Sequence, residues 1–135
     1  MKYMLIMNTP RDGYTQYMSW PKEILQANGA FMESFARKLS AAGELVGTYG
    51  LGSPQQAKRV HAGKDGKPIT DGVFPESKEF LAGYWIVDVD SPERAYQLAT
   101  EVLNAPHGPV TSPGGAPYDF GIEVREVMGS RSDLE

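Results

Sequence analysis

The chain has no cysteine, which removes disulfides, thiolate metal sites and cysteine nucleophiles together. Such a composition suits a reducing compartment, and the cytoplasm is the expected location. Long apolar runs are missing too. The opening Met1-Lys2-Tyr3-Met4-Leu5-Ile6-Met7-Asn8 is too short for the centre of a signal peptide, and no small-residue cleavage site follows it. Nothing approaches the roughly 20 apolar residues of a spanning helix, so no membrane partner is expected. Positive charge is scarce: 13 Lys and Arg stand against 17 Asp and Glu, a net charge of -4. The nearest thing to a basic cluster is Lys58-Arg59, read as a solvated hairpin, and nucleic acid is not an expected partner. The two histidines, His61 and His107, lack the short spacing of a three- or four-ligand metal set. No metal and no cofactor is expected.

What is present fits one soluble domain. The 135 residues suffice for a real core, read as a single domain over 1–128 with a polar tail over 129–135. Residues 2–8 form a strand with Tyr3, Leu5 and Met7 on one face and Met4 and Ile6 on the other. The polar stretch 8–19 reads as loop. Over 21–42, Ile24, Ala27, Phe31, Phe35, Leu39 and Ala42 recur at three- and four-residue steps, predicting an amphipathic helix capped by Gly43. Asn28-Gly29 is a weak point in it.

Residues 44–51 form a glycine-weakened strand, hence an edge, and the Gly47-to-Ser53 stretch is a twisted strand rather than a phosphate loop. A hairpin follows, turning at Gly63-Lys64-Asp65-Gly66. Residues 83–89 form a second strand apolar on both faces. Ser91 caps a second helix, with Pro92 at its first position and Ala95, Leu98, Ala99 and Val102 facing inward. The proline-rich stretch 104–117 is loop, and Phe120, Ile122 and Val124 mark a last strand.

The order strand, helix, strand, hairpin, strand, helix, strand predicts an α+β fold. It is a ferredoxin-like antiparallel sheet with two helices on one face plus an inserted hairpin. Two helices cover one face only. Met4, Ile6, Tyr84 and Ile86 would then remain on the other, which predicts a homodimer with sheets packed face to face.

The densest chemistry lies in Asp71-Gly72-Val73-Phe74-Pro75-Glu76-Ser77-Lys78-Glu79, just ahead of the second central strand. This segment resembles the signature of the YCII-related domain family, in the branch named for an Asp-Gly-Pro-Phe motif. Met1 to Met7, Ala41-Ala42-Gly43-Glu44-Leu45-Val46 and Ile122-Glu123-Val124-Arg125 resemble that family's opening strand, first helix end with its following strand, and closing strand. Val73 stands where the family has Pro, and Glu126 where a Pro usually follows the final Arg. The resemblance implies a dimeric alpha-beta barrel with a cleft near the motif. In another branch a His–Asp pair is the suspected catalytic element. Only its Asp has a counterpart here, Asp71, since no His precedes His61.

On that footing Asp71 is the candidate base, kept ionised by Lys78, and His107 is a candidate acid–base partner from a long loop. Phe74, Lys78, Glu79 and Tyr84 are candidate ligand-binding residues, with Phe74, Tyr84 and Trp85 as an apolar wall. A plainer reading also stands: Asp71 hydrogen-bonds its own turn, and Glu76, Lys78 and Glu79 are solvated. His61 faces solvent in the hairpin. Two functions follow. One is a small-ligand-binding dimer, with cofactor-free proton transfer or lyase-type chemistry. The other, implied by the resemblance, is a non-catalytic regulatory or accessory dimer linked to bacterial sigma-factor signalling. The sequence does not decide whether the protein is an enzyme.

Overall fold

Lys2–Thr9 forms the first strand, β1, and alternation along it sends Tyr3 and Leu5 into the core and Met4 and Ile6 to the opposite face. The computed structural model describes residues 1–72 and 77–129. After β1 come α1 (Gly13–Met18), α2 (Lys22–Ala41), β2 (Leu45–Gly50), β3 (Lys58–Ala62) and β4 (Pro68–Gly72). The chain ends with β5 (Phe80–Asp88), α3 (Pro92–Leu103) and β6 (Ile122–Glu126). The main sheet runs β2-β5-β1-β6 with antiparallel pairing throughout, and β3-β4 form a separate hairpin. This is the ferredoxin-like order, and the two strands apolar on both faces, β1 and β5, hold the centre.

One layer of helices closes the core. Phe35 and Leu39 of α2 and Ala95, Leu98, Ala99 and Val102 of α3 pack on Tyr3, Leu5, Trp85 and Val87. The Phe35 ring meets Trp85 edge-on at 6.2 Å. Caps fix both helices as their residues dictate. Gly43 adopts φ +72, a conformation costly for any residue with a Cβ, and so ends α2. The Ser91 hydroxyl accepts from the Arg94 N–H with Pro92 in the first turn of α3.

Three expectations are corrected. Residues 8–19 are not all loop, because α1 occupies their second half. That helix has six residues, no apolar stripe to announce it, and only Gly13 buried. Of the expected inward stripe, Ala27 and Ala42 are exposed, Ala42 as the residue just past the helix, and Asn28 takes the place of Ala27 on the inward side of α2. The chain stays helical through Asn28-Gly29. Phe120 lies outside β6, just before it. On the uncovered face Met4, Ile6, Tyr84 and Ile86 are half-buried, as the alternation requires.

Glu44 joins α3 to the start of β2: the Arg94 Nε and Nη2 donate to its two carboxylate oxygens at 2.9 and 2.8 Å. The Arg94 hydrogen bond holds the Glu44 carboxyl below its ordinary value of 4.5, against a smaller opposing push from burial. A lowered folded-state value contributes stability above the ordinary carboxylate range, and that stability is lost as pH falls through the lowered value. Urea midpoints should therefore separate wild type from Glu44→Gln by less than about 1 kcal/mol at pH 7. The two curves should converge as pH falls below 4.5. A gap that persists unchanged in acid would show that the pair's charge is not what stabilises it.

Candidate functional site

At the end of the sheet where β1 and β2 finish and β5 begins lies a cavity of about 500 Å³. Met7, Asn8 and Thr9 of β1, Gly50 at the end of β2, and Leu51 and Gly52 after it form its floor. Asn28 and Met32 of α2, Val102 and Leu103 of α3, and Tyr17 and Trp20 around α1 form its sides. Residues Ala105, His107, Val110 and Phe120 of the loop after α3 close it. Among the described residues, no Lys, Arg, Asp or Glu side chain lines it.

Two long-range clips hold that loop. The Asn28 Nδ2 donates to the Pro106 carbonyl at 2.7 Å, and the Trp20 Nε1 donates to the Pro109 carbonyl at 2.9 Å. A Cβ at Gly108 would stand 2.5 Å from the Trp20 indole, so the loop backbone reaches the ring only because that residue is glycine. From α1, Gln16 exchanges two hydrogen bonds with the Thr111 backbone: Nε2 donates to the carbonyl at 3.0 Å and Oε1 accepts from the N–H at 2.7 Å.

His107 therefore sits between two anchored carbonyls. Its ring lies 6.3 Å from Trp20 and 5.2 Å from Phe120, with Tyr17 packed edge-on to Trp20 at 5.0 Å. Nδ1 is 2.8 Å from the Gly108 carbonyl, and a carbonyl only accepts, so Nδ1 carries the proton. In the neutral ring Nε2 is then the unprotonated nitrogen, able to take a proton or accept a hydrogen bond.

The model of the YCII-related domain family matches residues 1–111, most of the chain. The chain belongs to the YCII-related domain family. No curated protein matches it. The matched part of this YCII-related domain runs from β1 through α3 to the His107 loop. Tyr118, Phe120 and β6 lie beyond it.

Of the candidate site residues that are described, the structure brings His107 alone to the cavity wall. Asp71 is exposed near the end of β4, opposite Arg59 in the hairpin register. It is not among the partners of His107, so the acid–base pairing expected of these two is not formed. Phe74 and Glu76 lie outside the described residues. Lys78 is exposed between β4 and β5. Tyr84 and Trp85 cannot share one wall, because neighbours on a strand point to opposite faces. Trp85 is in the core, and Tyr84 is on the uncovered face opposite Ile6 and Tyr49.

Glu79 connects the motif to the site at second hand. The Tyr118 hydroxyl donates to its carboxylate at 3.0 Å, and the Tyr118 ring packs edge-on against Phe120 at 5.1 Å. Burial, reinforced by that hydrogen bond and the Glu79 charge, pushes the Tyr118 hydroxyl up to about 12, so it stays a neutral donor at physiological pH. The functional residue that the sequence reading passed over is Asn28. Its signal was available: a polar side chain on the apolar side of a helix, beside a glycine, where local propensity is poor.

Proposed function

We propose that this YCII-related domain acts as a homodimer that binds a small, mostly apolar molecule in the cavity beside His107. The carrying observation is the cavity itself: about 500 Å³, walled by Trp20, Tyr17, Phe120 and Met32, with few polar groups converging on it. That is the size and chemistry of a ligand pocket. His107 Nε2 is the group placed to exchange a proton with a bound molecule, without a cofactor. Glu79 and Tyr118 then serve by holding the Phe120 wall, which gives the Asp71-to-Glu79 motif a supporting part in the site. The dimer reading rests on Met4, Ile6, Tyr84 and Ile86, whose half-buried side chains share the face the helices do not cover.

Native mass spectrometry of protein purified gently from its own host tests the binding reading. A discrete non-covalent adduct, released on denaturation, is the expected result. Protein that arrives unliganded, and whose cavity resonances ignore a panel of aromatic fragments, would contradict it.

A further inference from the structure

The cavity carries one polar atom whose position and role are fixed by its surroundings. Asn28 is 9% exposed, the one buried polar side chain among the described residues. Its Nδ2 donates to the Pro106 carbonyl. Turning the amide over would set oxygen against oxygen, so Oδ1 must point the other way. Oδ1 accepts no hydrogen bond from any described residue, yet no unpartnered side-chain polar atom is sealed from solvent. Since Asn28 lines the cavity, Oδ1 opens into it. An acceptor reached by solvent in this way can exchange its water for a donor on a bound molecule. The helix also carries the poor propensity of Asn28-Gly29 to keep it there.

Resting on the binding reading above, we infer that the ligand is an uncharged flat ring bearing an N–H or O–H donor, which the donor presents to Asn28 Oδ1. The ring follows from Trp20, Tyr17, His107 and Phe120, whose tilted and edge-on faces suit offset or edge packing of a further ring. The absence of charge follows from the lining: with no Lys or Arg among the described lining residues, an anion entering would lose its water and find no permanent counter-charge, the His107 ring being the one described lining group that can become a cation. The donor follows from Oδ1, which only accepts. Asn28 thus reads the ligand and holds the Pro106–His107 backbone through the two ends of one amide.

The test uses the full chain and three probes of one ring size: 2-naphthol, 2-methoxynaphthalene and 2-naphthoate at neutral pH, with affinity read by calorimetry. Wild type should bind 2-naphthol about tenfold tighter than its methyl ether, the range one hydrogen bond contributes, and should bind 2-naphthoate more weakly than either. In Asn28→Leu, with the fold checked by circular dichroism, the ratio of naphthol to ether should fall to near one. Equal wild-type affinities for naphthol and ether, tighter binding of naphthoate, or a ratio that survives in Asn28→Leu would overturn the inference while leaving a binding cavity. The wild-type comparison decides even if Asn28→Leu does not fold. Failure of all three probes to bind would overturn the cavity reading, and this inference with it.

Discussion

Ile86→Asp is expected to turn a dimer into a folded monomer. Ile86 lies on β5 opposite Met4, on the sheet face away from the helices, with Tyr84 and Ile6 beside it on the same face. In an isologous dimer one substitution acts twice, because each copy brings the same patch. Two carboxylates would then be buried in an apolar contact at several kcal/mol each, raising the dissociation constant on the order of a thousandfold or more. The monomer should keep its fold, since the core of Leu5, Leu39, Val87 and Leu98 is on the other side of the sheet. Light scattering at micromolar concentration should give twice the 14.8 kDa chain mass for wild type and the chain mass for the variant. Wild type that is already monomeric would end the dimer proposal outright, and a variant that remains dimeric would end the assignment of its interface to this face.

The largest stability loss is expected inside the helix layer. Leu98 is fully buried, at 0% exposed, at the centre of the cluster that joins α3 to β1 and β5. Leu98→Ala removes buried carbons and leaves a cavity that close-packed neighbours fill only in part, for a loss of about 2–5 kcal/mol. Leu103, five residues on and 39% exposed, provides the control: Leu103→Ala should cost about 1 kcal/mol or less. Urea unfolding at one fixed protein concentration separates the two, since oligomer stability shifts with concentration. Equal losses at both positions would mean that Leu98 is not where the fold concentrates its packing.

Much of the architecture was legible because it depends on local pattern. Apolar residues on both faces of β1 and β5 told the central strands from the edges. Ser91, Pro92 and Gly43 marked helix ends through their own backbone chemistry. The stripe Ala95, Leu98, Ala99 and Val102 is buried as its spacing requires. α1 escaped because six residues with one buried position carry no period to read. The site escaped for a different reason. Its clips join Asn28 to Pro106 and Trp20 to Pro109, residues 78 and 89 positions apart, and no local signal foretells such meetings. Charge density drew attention to Asp71, Lys78 and Glu79, but exposed charges are what a solvated segment also shows. The cavity is instead built of uncharged residues, and its mark in the sequence was a lone asparagine on an apolar helix face.

The chain has two tryptophans, and their indole N–H signals test the binding site directly. Trp20 lines the cavity, while Trp85 is 7% exposed in the core against Phe35. In a titration of 15N-labelled protein with 2-naphthol, the Trp20 indole cross-peak should move saturably, together with the backbone amides of His107 and Phe120. The Trp85 cross-peak should hold still. A Trp20 signal that does not respond, with shifts confined to the amides of Asp71, Lys78 and Glu79, would contradict the account and return the site to the charged motif.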